Sequence, residues 1–424
     1  MAKKNAQEGL IGVLDVGSSK VVCLIARRQL DGNYKVIGVG NCACTGIKDG
    51  QVSDMEATEK SIRQSVEQAE KMAGERLDSF TLAVNCGQPL SDIITVEVDV
   101  DGQSVTEDDI ESVMALARSK ANVADDREII HAFPAFYLLD DHYARKAPVG
   151  MYGSKLSVHL HVMTVLKAPV KNLEICARRA DMGVDQLVAG PYASGLSTLH
   201  EEEKEMGAAC VDIGGGTTTI SIFTQGKLAH CAVLPVGGDS LTETIARELL
   251  TPIAKAERLK NAQGGAVRAP IDDRVEIDVP AIGGKADDSD ARRMPRSALT
   301  FLMERHYRAL LAIVREELDA VGFTPSPARR VVLTGGASQT ENLEGLAAQI
   351  LDKDVRIAQP ALIAGLPLSA QNPLFACSAG LLVYNEMEAD DMISDTAMGK
   401  QRRLRKPAPK GMLGRIGAWM KGNF

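Results

Sequence analysis

Apolar positions at the start of the chain fall in three short blocks, LIGVLDVGS, KVVCLIARR and YKVIGVGNC, between residues 10 and 43. Turns containing Gly17, Ser18, Asp31 and Gly32 separate them, so they predict three successive strands. The spacing then becomes helical from about Asp54 to Met72, with Ile62, Val66 and Ala69 on one face, and FTLAVNCG follows as a buried strand. From about Gly87 to Leu166 the pattern predicts an inserted small α+β unit. It has an alternating strand in ITVEVDV, a helix opened by Thr106 with Glu107, Asp108 and Asp109 in its first turn, and strands near HAFPAFYLL and LSVHLHVMTVL.

After a helix over about Val170 to Met182 and a strand around VDQLVA, the opening pattern returns. GAACVDIGGGTTTISIFTQGKLAHCAVLPVGG again reads as three strands with a glycine-rich turn after an aspartate, which argues for two related lobes. A helix from about Asp239 to Leu250 leads into AKAERLKNAQGG. Residues 264–295, rich in Gly, Asp, Pro and Arg, predict a mostly exposed small subdomain. Helical spacing resumes from about Pro295 to Val321, RRVVLTGG follows as a strand, and NPLFACSAGLLVYN closes the body. Beyond about Asn385 an acidic and then basic segment lacks periodicity, and Pro407 and Pro409 discourage structure, which predicts a disordered linker.

Composition narrows the class. A chain of 424 residues, 45% hydrophobic and 25% charged, is large enough for two or more packed lobes. No apolar run approaches the roughly 20 residues that span a bilayer. MAKKNAQEGL enters a strand pattern without a signal-peptide core, so a cytosolic location is expected. The eight cysteines (Cys23, Cys42, Cys44, Cys86, Cys176, Cys210, Cys231 and Cys377) lie among apolar neighbours without a CxxC pair and are expected to be reduced core residues. Cys42 with Cys44, and His159 with His161, have the spacing either of a metal pair or of alternate positions on a strand face; no metal cluster is assigned. The net charge of −8 hides a polarity: eight Lys or Arg and no acid follow from Lys400 onward, leaving −16 on the preceding 399 residues. A basic tail on an acidic body suggests an anionic partner for the tail alone.

Two hairpin motifs carry the chemistry: Asp15-Val16-Gly17-Ser18-Ser19-Lys20 and Asp212-Ile213-Gly214-Gly215-Gly216-Thr217-Thr218. Small residues in such turns let backbone N–H groups approach phosphate oxygens, and the two aspartates can hold a hydrated Mg2+ between them. A third element, VVLTGGAS, ends a buried strand in Gly335-Gly336 and suits close approach of a flat adenine or ribose. In this order the three elements resemble the actin-like ATPase superfamily over residues 10 to 385. The resemblance implies an α/β, actin-like (ribonuclease-H-like) two-lobed fold with two small subdomains, followed by a disordered linker and a C-terminal amphipathic helix. The first lobe would comprise 8–86, 166–195 and a closing segment 366–385, interrupted by the inserted subdomain 87–165. The second would comprise 196–249 and 301–365 around a small subdomain at 250–300.

The same resemblance implies ATP and Mg2+ as cofactors, with Asp15 and Asp212 as Mg2+-water ligands and the residues of any weak hydrolysis. Gly17, Ser18, Ser19 and Lys20 would form the first phosphate loop and Gly214, Gly215, Gly216, Thr217 and Thr218 the second, with Gly335, Gly336 and Ala337 closing the nucleotide site. Glu257 and Lys260 would lie beside ribose and adenine, or else on a solvated helix face. In many members a Glu-Pro or Gln precedes the interdomain helix and positions the attacking water, whereas this chain has Ala189-Gly190-Pro191-Tyr192-Ala193. Hydrolysis is therefore expected to be slow or absent, with ATP acting as a conformational ligand.

Written as a helix, residues 410–424 place Met412, Leu413, Ile416, Trp419, Met420 and Phe424 on one side, with Lys410, Arg415 and Lys421 at the margins. Four glycines weaken such a helix in water, so it is expected to form on an anionic membrane surface, reached through the linker 386–409. A helix docked back on the body and a nucleic-acid-binding basic stretch are the alternatives; no nucleic-acid partner is expected. Core, insertion and tail together resemble the FtsA family of bacterial cell-division proteins, also through GAACVDIGGGTT, VVLTGGAS and the terminal GxxxRxxxWMK pattern. That resemblance implies an adaptor at the inner face of the cytoplasmic membrane at the division site. It would bind the C-terminal peptide of the tubulin-like protein FtsZ at residues 250–300, meet other division proteins and self-assemble into filaments. Arg292, Arg293 and Arg296 would meet the acidic peptide, or form a solvated helix start. A soluble small-molecule kinase and a pilus-assembly platform of the same fold are the rival readings.

Overall fold

Three strands, β1 (Leu10–Val16), β2 (Lys20–Arg28) and β3 (Tyr34–Ala43), form an antiparallel meander in which Val13, Leu24 and Ile25 are fully buried. The computed structural model describes residues 9–387 apart from 30–32, 285–289, 325, 327–328 and 362. The turn at Asp31 and Gly32, the linker beyond residue 387 and the amphipathic helix at 410–424 lie outside the described residues. A short hairpin, β4 (Ile47–Lys48) and β5 (Gln51–Val52), leads to α1 (Met55–Ala73). Asp54 starts that helix by accepting from the backbone N–H groups of Glu56 and Ala57, both at 3.0 Å, and Gly74, with φ of 71°, ends it. Ile62, Val66 and Ala69 turn inward, and β6 (Ser79–Val84) adds to β1 in parallel.

The insertion is a separate four-stranded sheet with its own core. Its strands β7 (Leu90–Asp99), β8 (Arg127–Leu139), β9 (His142–Ala144) and β10 (Lys155–Leu166) lie in the order β7-β10-β8-β9, with the helix α2 (Glu107–Ser119) against β10 and β7. Thr106 and Asp109 cap α2 reciprocally, which satisfies N–H groups that the helix itself leaves free. Pro134 has no N–H to give the β8–β10 ladder, and the register jumps beside it.

Helix α3 (Lys167–Arg179) begins at Lys167 rather than near Val170, because β10 turns directly into it and Pro169 is tolerated in a first turn whose N–H groups lack helical partners. Strand β11 (Gly183–Ala189) joins β6 in parallel and runs into α4 (Gly190–Thr198), followed by α5 (Glu201–Met206). The second lobe repeats the first: β12 (Ala208–Ile213), β13 (Thr218–Thr224) and β14 (Lys227–Leu234) form another antiparallel meander. Helices α6 (Gly238–Glu248) and α7 (Ile253–Gln263), the hairpin β15 (Glu276–Val279) with β16 (Arg292–Pro295), and the long helix α8 (Arg296–Ala320) come next. Strand β17 (Arg330–Thr334), α9 (Leu343–Leu351), β18 (Asp354–Ile357) and α10 (Ala376–Glu386) complete the fold.

The two large sheets have one topology. Their orders, β3-β2-β1-β6-β11 and β14-β13-β12-β17-β18, each set a three-stranded meander beside two parallel strands. Helices α4 and α10 cross closely between them: a Cβ added at Gly380 would fall 1.7 Å from the carbonyl oxygen of Ala193, so only glycine fits this crossing. Residues 264–295 are less exposed than their composition suggests, since Ala266, Asp272, Ile277 and Val279 are buried and join this segment to the second core.

Candidate functional site

Both meanders turn their first hairpin into one cleft. In the first lobe the Gly17 N–H donates to Lys20 O at 2.9 Å, and in the second the Gly214 N–H donates to Thr217 O at 2.8 Å, so the two glycine-rich turns close alike. They approach closely: a Cβ at Gly216 would lie 2.3 Å from Ser18 Oγ. The cleft encloses about 600 Å3, mouth included, and is lined by Asp15, Gly17, Ser18, Ser19 and Lys20 from one lobe and by Asp212, Gly214, Gly215, Gly216 and Thr217 from the other. Gly335 and Gly336 also line it. Gly335 has φ of 86°, and a Cβ there would sit 2.2 Å from Asp212 Oδ1, so this turn both needs the left-handed region and touches the carboxylate.

Charge is concentrated at the base. Asp15 and Asp212 are each the last residue but one of their strands, β1 and β12; Asp15 is buried and Asp212 half-buried. Burial pushes Asp212 up to about 6, the Ser194 hydroxyl, which donates to Oδ2 at 2.6 Å, draws it down, and the charge of Asp15 raises it. Asp15 is raised by burial against the pull of Lys20. Lys20 is lowered by burial to about 8 while both aspartates favour its charged form. Its ammonium donates to Leu374 O and lies 4.7 Å from the Phe375 ring centroid. Two desolvated carboxylates from opposite lobes are hard oxygen donors whose raised pKa values a divalent cation would offset, so these residues fit Mg2+ held through water.

The remaining sequence candidates separate. Thr218 is fully buried and spends its hydroxyl on Val236 O at 2.8 Å, outside the lining. Lys260 is not on a solvated face: it donates to Gly238 O at 3.0 Å and Thr242 Oγ1 at 2.8 Å, and pairs with Glu257 at 2.6 Å. With Ala337, whose Cβ is 3.5 Å from where a Gly238 side chain would begin, these residues form a wall at the start of α6. Arg296 pairs with the wholly buried Asp272 at 3.1 Å and with Glu341 at 3.6 Å, and Arg292 donates to the carbonyls of Leu249 and Leu250. Arg292 and Arg293 are both exposed, and Arg293 lies within 3.9 Å of Glu276 and 3.7 Å of Asp278. The membrane-helix residues Met412, Leu413, Arg415, Ile416, Trp419, Met420, Lys421 and Phe424 lie outside the described residues.

Asn85, Thr219 and Leu374 line the cleft without having been singled out in the sequence, and Cys377, expected only as a core residue, lines it too. A polar residue directly after a buried strand, as Asn85 is after β6, was the one signal available. All eight cysteines are buried and unbridged. His159 stacks on Phe136 at 4.1 Å, His161 is buried, and among the described residues no group of three or more His, Cys, Asp or Glu converges as metal ligands. Among the described residues no helix is long and apolar enough to cross a membrane.

Two lobes of one topology, with paired hairpin loops closing on a shared cleft, define an actin-like protein. The fold matches solved structures of that class: the PilM-PilN type IV pilus biogenesis complex (TM-score 0.61, 16% identity, 89% of this chain and 99% of that one) and MreB5 of Spiroplasma citri bound to ADP (0.51, 13%, 89% and 96%). The cell division protein FtsA model matches residues 209–380, and the model of the SHS2 domain inserted in FtsA matches 87–164. Cell division protein FtsA of Agrobacterium fabrum strain C58 is 40% identical over 98% of this chain and 95% of its own length. The chain belongs to the FtsA family of cell division proteins.

Proposed function

We propose that the protein is an ATP-binding adaptor that ties FtsZ polymers to the inner face of the cytoplasmic membrane during division. The observation that carries this reading is that Asp15 and Asp212, one from each lobe, line one cleft with two glycine-rich turns. A nucleotide bound there touches both lobes at once and favours the lobe angle that fits it best. The backbone N–H groups of the two turns and Lys20 hold phosphate oxygens, and Asp15 and Asp212 hold the hydrated Mg2+, which supplies charge neutralisation when bound. Lys260, Glu257 and Ala337 flank the sugar and base.

Hydrolysis is slow, because Gly190 leaves no side chain of its own to orient the attacking water. The remaining roles follow the family and the sequence. The subdomain around 250–300, with Arg293 exposed, takes the acidic FtsZ peptide; the insertion builds filaments; and Met412, Leu413, Ile416, Trp419, Met420 and Phe424 enter lipid with Arg415 and Lys421 at the headgroups. Vesicle co-sedimentation tests the reading by comparing the full chain with a version ending at Lys406, on anionic and neutral lipid, with fluorescent FtsZ C-terminal peptide present. Pelleting of protein and peptide together, lost on truncation, is expected. Equal pelleting of both versions, or pelleting without the peptide, refutes the adaptor role.

A further inference from the structure

The space beside Gly190 is not empty. A Cβ added at Gly190 would fall 1.7 Å from Asn85 Oδ1, 2.6 Å from its Cγ and 2.9 Å from its Nδ2, so the whole carboxamide of Asn85 occupies the space that a side chain at 190 would use. Gly190 does not have a positive φ, so neighbouring atoms rather than backbone strain exclude a larger residue. Asn85 reaches this place from the end of β6, an adjacent strand of the same sheet. Its Nδ2 donates to Asp15 Oδ1 at 3.3 Å, its side chain also interacts with Cys377, and it lines the cleft with Asp15, Lys20 and Asp212. The backbone there is also crowded, since a Cβ at Gly50 would lie 2.7 Å from the Asn85 carbonyl oxygen.

Resting on the reading that this cleft binds ATP, we propose that Asn85 is the positioning residue for the attacking water. It fills from β6 the role that position 190 leaves vacant at the start of α4. A carboxamide donates and accepts hydrogen bonds, so it orients a water beside Asp15, but it has no basic site at neutral pH. In the hydrolytic step the water oxygen bonds to the terminal phosphorus and the bond from phosphorus to the bridging oxygen breaks with its electron pair. The water proton passes to a phosphate oxygen and then to solvent, giving ADP and inorganic phosphate. Without a base the step runs slowly, and what rate there is depends on orientation by Asn85.

The seat holds one side chain, which makes the idea testable by exchange. Four proteins are compared, the wild type, Asn85→Ala, Gly190→Gln and the double variant Asn85→Gly/Gly190→Gln, each as the full chain. Binding of a fluorescent ATP analogue, release of labelled phosphate over a day, and thermal unfolding are measured. Asn85→Ala should lower turnover at least about tenfold while leaving the ATP Kd within about threefold, the split expected when orientation rather than binding is lost. Gly190→Gln alone should unfold several degrees lower, because it is driven into the carboxamide. The double variant should recover both the unfolding temperature and turnover within about threefold of wild type, since glutamine then supplies the amide from the other side.

Unchanged turnover in Asn85→Ala overturns the proposal, as does a double variant no better than Gly190→Gln alone. A wild type that binds ATP and releases no phosphate overturns it too, while leaving the nucleotide reading intact. Failure of the wild type to bind the analogue removes the nucleotide reading and the role of Asn85 with it.

Discussion

Raising the pH should weaken ATP binding through a single side chain. In the free protein burial lowers Lys20 from 10.5 to about 8, opposed by Asp15 and Asp212. Phosphate oxygens at the cleft restore a strong preference for the ammonium, at most back to its ordinary value. The bound state then holds a proton that the free state has lost above pH 8, so binding must take that proton up, and affinity falls as pH rises. With the two limits of about 8 and 10.5, Kd should rise close to thirtyfold between pH 7 and 9.5, which is about 2 kcal/mol. Titrating a fluorescent ATP analogue at half-unit steps measures the slope. Lys20→Arg keeps its charge throughout this range and should give a flat profile, whatever its absolute affinity. A flat wild-type profile, or a Lys20→Arg profile as steep as wild type, would refute the assignment of Lys20 to the phosphates.

Three other outcomes follow from particular contacts. Gly335→Ala must place a methyl 2.2 Å from Asp212 Oδ1 at φ of 86°, so it should abolish ATP binding and cost about 2–4 kcal/mol in urea unfolding. Arg296→Ala leaves the carboxylate of Asp272, which is wholly buried, with the Ala269 N–H and the Thr300 hydroxyl as its donors, and should destabilise by about 3 kcal/mol. Arg293→Ala should leave unfolding unchanged within about 0.5 kcal/mol and weaken FtsZ-peptide binding. Acidification should destabilise the fold, because burial lowers His131 and His161 from 6.5 to about 3 and His230 to about 4. Stability is full above pH 6.5 and is lost toward pH 4 as the unfolded chain alone takes up protons, at about 1 kcal/mol per histidine between pH 6.5 and 5.5. Part of this is offset as Asp212 protonates near 6; replacing His230 by Leu should flatten the slope of urea unfolding free energy against pH by about a third.

Legibility followed how far each feature depends on neighbours in sequence. The two Asp-led glycine hairpins are local: each strand, turn and strand lies within one short window, so turn chemistry and alternation exposed them directly. The echo between lobes was legible for the same reason, down to matching turn closures at Gly17 and Gly214. Arg296 was not, because its buried partner Asp272 lies in another segment, and charge in a Gly/Asp/Pro/Arg-rich stretch reads as solvent-facing. Asn85 shows the same limit from the other side. Its meaning depends on Gly190, which β11 brings alongside only after a whole inserted subdomain has intervened. Thr218 repeats the small-polar pattern of Thr217, yet strand alternation turns it away from the cleft toward Val236. The helix LEGLAAQIL does carry helical spacing, with Leu343, Leu346, Ala347 and Leu351 buried on one face, whereas the four-residue strand DVRI is too short to show a period.

The contacts at the closing segment suggest how an occupied cleft alters the relation of the lobes. Lys20 of the first lobe donates to Leu374 O, while the Gly335 N–H of the second donates to Pro373 O at 3.2 Å, so one turn before α10 is held from both sides. Ser197 of α4 also donates to Ala376 O at 2.7 Å, and Ser194 of the same helix reaches Asp212. A phosphate that recruits Lys20 must take at least part of its hydrogen bonding from Leu374, and it does so at the turn on which Gly335 rests. Binding therefore exchanges a contact within the closing segment for one to the ligand, and the free energy of that exchange depends on the angle between the lobes. A ligand can shift that angle only by the difference in its affinity for the two arrangements. On this reading Lys20 exchanges Leu374 O for phosphate when the cleft fills, and Lys20→Arg should alter ATP-dependent assembly as well as ATP affinity.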